Sequence, residues 1–129
     1  MIGERISSGS IWEEKVGYSR AVVVDDWIFL SGTTGFDPAT NAYPADAEAQ
    51  CENAFRNIET ALGKAGSSLD DLVRVVIYIR DDADFPRLIP IIRKHCANAR
   101  PANTTVFARL VTPEMKVEIE ATARRSQKK

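Results

Sequence analysis

The sequence has 129 residues, of which 44% are hydrophobic and 27% are charged, and its formal net charge is −1 at pH 7. This length and balance predict a single soluble domain over residues 1–129 that folds without a structural metal or a disulfide. The near-zero net charge provides no general attraction to nucleic acid or to an anionic membrane surface. No apolar stretch approaches the roughly 18 residues that a membrane span requires.

The N-terminal residues and the cysteines both indicate a cytoplasmic protein. Residues 1–8 lack the basic and then apolar pattern of a secretory signal. The two cysteines, Cys51 and Cys96, lie on the apolar stripes of helix-like segments. We interpret them as small buried hydrophobic side chains in a reducing compartment. A reactive thiol is the alternative.

The first predicted strands form a hairpin. Residues 21–24 and 27–30 are rich in apolar, β-branched and aromatic side chains, and Asp25-Asp26 joins them. Asp-Asp is a weaker turn pair than Asn-Gly, so the register of this hairpin is left open. Ser31-Gly32 ends the second strand, and a turn-rich loop follows over residues 35–44.

The clearest helix begins after Asp46, which suits an N-cap position, and ends near Gly66. Glu52 and Arg56 form a helical i,i+4 pair on its polar side. Its apolar residues recur at steps of three and four, which is typical of one buried helix face. These residues are Cys51, Ala54, Phe55, Ile58, Ala61, Leu62 and Ala65.

The second half of the chain predicts three more strands and one more helix. A strand over 73–80 has Val73, Val75, Ile77 and Ile79 on one face. Strands over 103–110 and 116–121 follow later in the chain. Between the strands over 73–80 and 103–110, a helix turns five apolar residues toward the core, and Pro90 implies either a kink or a late helix start. The five residues are Phe85, Leu88, Ile89, Ile92 and Cys96.

The order of these elements is β-β-α-β-α-β-β, with room for a short extra strand near the N-terminus. It predicts an α+β fold with one mixed sheet and two helices packed on one face of the sheet. Two helices leave the opposite face uncovered, and that face still contains apolar groups such as Val76 and Tyr78. We therefore expect the chain to self-associate.

Two carboxylates on the last strand are candidates for chemistry. Glu118 and Glu120 are two residues apart, so both point to one face of the strand, together with Lys116. An ordinary solvated strand face is the alternative interpretation. If the face lines a subunit interface, partial desolvation raises the pKa of a carboxyl group there and suits it to proton transfer.

The turn over residues 99–105 is a second candidate site. Pro101 keeps the chain extended, so Arg100 projects from a fixed backbone and could bind a carboxylate with two hydrogen bonds. The alternative is a surface arginine that covers a helix end. His95 lies near a predicted helix C-terminus, where a positive group is favourable, and we interpret it as structural.

The sequence predicts no metal site and no cofactor. It has one histidine, and the two cysteines lack the spacing of metal ligands. Gly32 and Gly35 do not form a phosphate-binding loop. No specific pattern indicates a serine or cysteine nucleophile paired with His95.

Taken together, the residues between Tyr18 and Ala123 resemble the RidA/YjgF (Rid) family, also known as translation inhibitors or L-PSP endoribonucleases. The resemblance implies a chorismate-mutase-like fold, a trimeric barrel assembly and pockets between subunits. It also implies a deaminase that hydrolyses imines and enamines such as 2-aminoacrylate and its iminopropanoate tautomer. The segments that carry it begin at positions 17, 30, 53, 65, 83, 100, 104 and 113 and read GYSRAV, LSGTTG, NAFRNI, AGSSLDDLVR, ADFP, RPA, TTV and PEMKVEIEA.

The resemblance also assigns residues. Tyr18, Ser31 and Glu118 match the tyrosine, serine and glutamate positions of the family, where the glutamate orders the attacking water. Asn103, followed by Thr104, stands where archetypal members have an arginine that grips the substrate carboxylate. Asparagine offers hydrogen bonds without a charge, so the resemblance implies weak activity on 2-aminoacrylate-derived imines. Arg100 is the residue considered as a substitute for the missing charge.

Two other functions remain open. A non-catalytic binding or regulatory protein could use the same clefts. A ribonuclease or translation inhibitor would need a basic surface, and the one basic cluster is the tail over residues 124–129, which we expect to be flexible and solvated. Nucleic acid is therefore not an expected partner.

Overall fold

The structure, a computed structural model, describes residues 1–126. Within them, six strands form one sheet in the order β1-β2-β3-β6-β4-β5. The strands are β1 (Glu4–Ile6), β2 (Ala21–Val24), β3 (Trp27–Thr34), β4 (Leu72–Ile79), β5 (Ala102–Phe107) and β6 (Val117–Arg124). The helices are α1 (Ile11–Val16), α2 (Ala47–Lys64) and α3 (Phe85–Cys96). The β4–β5 pair is parallel and the other pairs are antiparallel, which confirms the predicted α+β fold with a mixed sheet.

The predicted hairpin is present, and its register is now defined. Ala21 pairs with Leu30, and Val24 pairs with Trp27. The turn between them includes Asp25 at φ 54°, a left-handed conformation that aspartate tolerates better than most residues. The second strand continues to Thr34 rather than ending at Ser31-Gly32, with a register shift between Leu30 and Thr33 where it pairs with β6.

Helix α2 packs on the sheet as its periodicity predicts. The Asp46 carboxylate caps it by accepting a hydrogen bond from Ala49 N at 3.3 Å. Phe55, Ile58 and Leu62 are completely buried on its inner face. These side chains join those of β3, β4 and β6 in the core, which lies between the helices and the sheet.

Helix α3 lies beside α2 on the same face of the sheet. It begins at Phe85, with Pro86 in its first turn, and continues through Pro90, so a late start is wrong. Leu88 is fully buried, and the rings of Phe85 and Phe107 meet edge to face with their centroids 6.0 Å apart. The prediction of two helices on one sheet face is therefore confirmed.

Strand β4 departs from simple alternation at its first residues. A register shift with β6 between Leu72 and Arg74 places Leu72 in the core and leaves Val73 40% exposed. The prediction that Val73 lies on the same face of the strand as Val75 is therefore wrong. The extra residue forms a β-bulge, and a bulge changes the face of the sheet to which the side chains before it point.

The side chain of Gln50 fixes the approach to β6. It is fully buried, and its Nε2 donates to Pro44 O at 2.7 Å and to Glu114 O at 2.8 Å. Its Oε1 accepts from Lys116 N at 2.8 Å. One carboxamide therefore links α2 to the loop before it and to the segment that leads into β6.

The face of the sheet opposite α2 and α3 retains exposed apolar side chains. Trp27 is 41% exposed and Phe29 is 48% exposed, and both lie on β3. At the far edge, β5 is exposed along most of its length and carries Val106 at 39% exposure. We call this side of the sheet the open face.

The last described residues are attached to the fold. Arg124 ends β6, and the Arg125 guanidinium donates to Asp25 O at 2.8 Å. Ser126 Oγ donates to Asp71 Oδ1 at 2.8 Å. The rest of the predicted flexible tail, residues 127–129, lies outside the described residues. Across residues 1–126, no helix is both long and apolar enough to cross a membrane.

Candidate functional site

Glu118 lies near the start of β6, between two other strands. It pairs with Thr34 of β3 and with Tyr78 of β4, and its side chain points to the open face. The side chain is half-buried, and this burial raises the pKa of its carboxyl group. The charge of Arg20 opposes the shift, and the charge of Glu120 adds to it.

Gly32 provides the space that the Glu118 carboxylate occupies. A Cβ atom built on Gly32 would lie 2.6 Å from Glu118 Oε2, far inside van der Waals contact. The close approach occurs where the β3 register shifts between Leu30 and Thr33. A side chain at position 32 would therefore displace the Glu118 carboxylate, whereas the backbone conformation of Gly32 does not itself favour glycine.

Arg20 is the residue that the sequence interpretation missed. It directly precedes β2, and its Nη2 donates to Gly32 O at 2.6 Å. Its guanidinium carbon lies 5.9 Å from the centroid of the Tyr18 ring, which is within cation–π range. Its Nε is buried and has no hydrogen-bond partner. A positive group is thus fixed to the backbone of Gly32, whose Cβ position adjoins the Glu118 carboxylate.

Tyr18 and Ser31 complete this group of residues. Ser31 Oγ donates to Ser19 O at 2.6 Å, and Ser31 N donates to Arg20 O at 3.0 Å. These bonds connect the segment before β2 to the irregular part of β3. Tyr18 is 37% exposed, so part of this residue remains accessible to solvent. We define the glutamate cluster as Tyr18, Arg20, Ser31, Gly32 and Glu118.

A second polar pair lies next to the glutamate cluster. Tyr78 Oη donates to Glu120 Oε1 at 2.7 Å, and this hydrogen bond is the main reason that the pKa of Tyr78 is raised. Both residues belong to the open face, as the alternation of β4 and β6 predicts. Glu120 is therefore engaged by a neighbouring side chain and is more exposed than Glu118.

The residues predicted near Arg100 lie elsewhere. Asn103 pairs with Val75, so it faces α3, and Thr105 Oγ1 donates to Asn103 Oδ1 at 2.8 Å. Thr104 pairs with Val76 and faces the open face. Arg100 is exposed, has φ 49°, and its N–H donates to Cys96 O at 2.7 Å, closing the end of α3.

Asn103 faces a groove of about 210 Å³ between α3 and β5. The groove has a mostly apolar wall and one charged residue, Arg93. Its lining residues are Phe85, Ile89, Ile92, Arg93, Asn103 and Thr105. The structure therefore brings Tyr18, Ser31 and Glu118 into one cluster, and it places Asn103 and Arg100 outside that cluster within one chain.

His95 has a structural environment. Its Nε2 lies 2.6 Å from Glu52 Oε1, and its ring stacks on Phe55 with centroids 4.6 Å apart. Lys94 Nζ donates to the other oxygen of Glu52 at 2.5 Å, and together these bonds lower the pKa of Glu52. His95 therefore connects α3 to α2, in agreement with its structural interpretation.

The two cysteines have weakly acidic thiols. Burial raises the pKa of Cys51 to about 12 and also raises the pKa of Cys96. Cys51 is fully buried as predicted, whereas Cys96 is only partly buried. Among residues 1–126, no group of three or more histidine, cysteine, aspartate or glutamate side chains is arranged to hold a metal ion.

Fold and cluster define a small α+β protein with a half-buried glutamate on an uncovered sheet face, and known proteins share its fold. The family model described as Endoribonuclease L-PSP matches residues 12–125. The chain belongs to this family, the same RidA/YjgF family that its motifs resemble.

Three relatives illustrate the relationship. A member of the YjgF/YER057c/UK114 family from Mycobacterium tuberculosis has a solved structure that aligns with a TM-score of 0.85 at 38% identity, covering 94% of this chain and 98% of that one. The 2-iminobutanoate/2-iminopropanoate deaminase of Dermatophagoides farinae is 33% identical over 125 residues, covering 94% of this chain and 96% of the relative. A RutC family protein of Pyrococcus abyssi is 31% identical over 107 residues, covering 82% and 84%.

Proposed function

We propose that the protein is a Rid-family hydrolase that deaminates an imine, an enamine or a related metabolite. The observation that carries the proposal is the position of Glu118: a half-buried carboxylate of raised pKa, facing the open sheet face beside a fixed arginine. A carboxylate of this kind accepts a proton more readily than one in bulk water. The deaminase from Dermatophagoides farinae, similar over 94% of this chain, supports the same chemistry.

In the proposed reaction, Glu118 accepts a proton from a water molecule while the water oxygen bonds to the imine carbon. The imine nitrogen takes up a proton, and the product of this addition is a carbinolamine. Glu118 then returns its proton to the nitrogen while the carbinolamine hydroxyl loses one to solvent, so that the C–N bond breaks, ammonia leaves and a carbonyl compound remains. Water is the only co-reactant, so no oxidant, metal or cofactor is required. Tyr18 and Ser31 would orient the bound molecule at the same cluster.

We propose a homotrimer with its pockets between subunits. The exposed Trp27, Phe29 and Val106 on the open face support association, because burying apolar surface of this kind is favourable. A pocket that contains both Glu118 and Asn103 also needs two chains, because these residues lie on opposite faces of the sheet. In such a pocket Asn103 of one chain would contact the molecule whose imine carbon is attacked by the water that Glu118 of another chain deprotonates.

The assay generates 2-iminopropanoate and 2-iminobutanoate in place with an amino-acid oxidase and follows the loss of imine that semicarbazide can trap. We expect faster imine loss with the protein, a loss of this effect in Glu118→Gln, and near wild-type rates in Glu120→Gln. Light scattering on the same samples measures the subunit number. Equal rates with and without the protein, for every imine and enamine tried, would contradict a hydrolase.

A non-catalytic binding protein is the second candidate, because Asn103 removes the charge that archetypal members use. This second function predicts that Glu118→Gln still binds its ligand and that neither the wild type nor any variant converts the ligand to a product. A ribonuclease is disfavoured by the net charge of −1. The two unpaired cysteines support the cytoplasm as the proposed location.

A further inference from the structure

The proposed pocket contains a positive group that is not at position 103. Several arginines belong to the open face or its border, among them Arg5, Arg20, Arg74 and Arg124. Arg124 lies over the Trp27 ring at 5.7 Å, and Arg74 is exposed on β4. Arg20 is hydrogen-bonded to Gly32, whose Cβ position adjoins the Glu118 carboxylate, and its charge lowers the pKa of Glu118.

The guanidinium of Arg20 is held in place before any ligand binds. Its Nη2 donates to Gly32 O at 2.6 Å, and the Tyr18 ring lies against it at 5.9 Å. A planar guanidinium fixed in this way loses little conformational freedom when it forms further hydrogen bonds. It is therefore arranged as a binding group and differs from a mobile surface side chain.

One donor of this guanidinium is not used within the chain. Arg20 Nε is buried and has no hydrogen-bond partner, although most buried polar groups in native proteins have one. A ligand cannot reach this buried nitrogen, but Nη1 forms no hydrogen bond within residues 1–126 and is not among the buried polar atoms, so an acceptor from outside the chain could bind there. The acceptor must sit close to Glu118, so a singly charged carboxylate suits the place better than a doubly charged phosphate, which Glu118 would repel more strongly.

We infer that Arg20 binds the carboxylate of the substrate and so determines the specificity of the glutamate cluster for 2-imino acids over neutral imines. The inference deepens the proposed function and rests on it for the identity of the reaction. Its binding part can be tested without turnover. Arg20 and Glu118 would then hold the two ends of one small molecule, the arginine its carboxylate and the glutamate the water that attacks its imine carbon.

Two other arginines are less suited to this role. Arg93 lies in the groove beside Asn103, on the opposite side of the sheet from Glu118. Arg100 is exposed and its backbone closes α3. Arg93→Gln therefore tests the competing possibility that the groove binds the carboxylate. Arg56→Gln, on the exposed side of α2, is the matched control and should keep the wild-type preference.

The experiment compares two ligands of nearly equal size, 2-oxobutanoate and 2-oxobutanamide, whose binding to the full chain is measured by calorimetry or by NMR titration. We expect wild type to prefer the carboxylate on the order of 100-fold. Arg20→Gln should reduce carboxylate affinity to the amide's level without changing amide affinity. Arg20→Lys keeps the charge but not the planar set of N–H donors, and its affinity for the carboxylate should be about tenfold lower. Arg93→Gln should keep the wild-type preference.

Several results would overturn the inference. A purely structural role predicts that Arg20→Gln weakens both ligands equally. A lost preference in Arg93→Gln would show that the carboxylate binds in the groove. A wild-type protein that binds both ligands equally, or binds neither, would remove the basis of the inference. If Arg20→Gln does not fold, an unchanged preference in Arg20→Lys would count against it. A wild type that prefers the carboxylate but hydrolyses no imine would instead contradict the proposed reaction while Arg20 keeps its binding role.

Discussion

Asn103 and Glu118 lie on opposite faces of one sheet, on strands that β4 separates. Asn103 faces the α3 groove, and Glu118 faces the open side. If both residues serve one pocket, each pocket must take them from different chains. This relationship gives a direct test of the assembly.

The test is subunit complementation. Glu118→Gln removes the carboxylate, and Asn103→Trp fills the groove wall, so each variant alone should be inactive in the imine assay. A sample refolded from equal amounts of both should regain roughly one quarter of wild-type activity, because random mixing gives that share of pockets two intact walls. Mixing without refolding is the control. Absence of recovery, with mixed trimers verified by mass spectrometry, would mean that the walls do not come from different chains.

Gly32→Ala should lower the activity of the protein while leaving its stability nearly unchanged. The added Cβ would lie 2.6 Å from Glu118 Oε2, and the carboxylate is the mobile end of its side chain, so it can move away. We expect at least a tenfold loss of imine hydrolysis with a change in the free energy of unfolding below about 1 kcal/mol. The rate assay and chemical denaturation measure the two effects.

Gly35→Ala is the contrasting variant. Its Cβ would lie 2.4 Å from the Cα atom of Gln50, which is backbone and cannot move alone. It should therefore lower the free energy of unfolding by more than Gly32→Ala does. A Gly32→Ala protein that unfolds as easily as Gly35→Ala would show that the space at position 32 serves the fold and not the carboxylate.

The pH dependence of the reaction should report on Glu118. Burial raises the pKa of this group, so the acid limb of the rate profile should have its midpoint above the ordinary glutamate value of 4.5. Glu120→Gln removes a negative neighbour and should move the midpoint to lower pH. Arg20→Gln removes a positive neighbour and should move it to higher pH. Shifts in the same direction for both variants would contradict this electrostatic account.

The same pKa shift predicts how stability changes with pH. The folded state holds the Glu118 proton more tightly than the unfolded state, so it binds more protons in the window between the two pKa values. The contribution of Glu118 to the free energy of unfolding should therefore decrease as the pH rises through this window. Glu118→Gln should remove that decrease, which denaturation at several pH values would detect.

The Gln50 carboxamide should contribute strongly to stability. Gln50→Met keeps the volume of the side chain but removes the partners of Lys116 N, Glu114 O and Pro44 O. Each buried group left unpaired costs about 1–3 kcal/mol. We expect a loss of several kcal/mol in chemical denaturation. Glu59→Met, on the exposed side of α2, is the control and should change stability by no more than about 0.5 kcal/mol.

Local patterns were sufficient to predict most elements of the fold. The three- and four-residue steps around Phe55 predict α2, and the alternation around Ile119 predicts β6. Helix α1 was missed, although Ser10, three residues before Glu13, resembles a helix N-terminus and Ser10 Oγ does accept from Trp12 N at 3.2 Å. Its six residues are too few to show a clear period.

The candidate site was only partly predictable, because long-range pairing assembles it. Arg20 approaches Glu118 through the pairing of β2 with β3 and of β3 with β6, a path that no local pattern reveals. Val73 was misplaced because a bulge shifts the register, and alternation alone cannot locate a bulge. The face of Asn103 likewise depends on the parallel pairing of β5 with β4.

The close approach of Gly32 to Glu118 also links two positions in the evolution of the family. A side chain at position 32 and a long carboxylate at position 118 compete for the same volume in this backbone. A relative that gains one should therefore have to lose or shorten the other, and intermediates that carry both would be disfavoured. Paired substitution at these two positions, visible in an alignment of many relatives, would mark the lineages that abandoned this glutamate and the chemistry that depends on it.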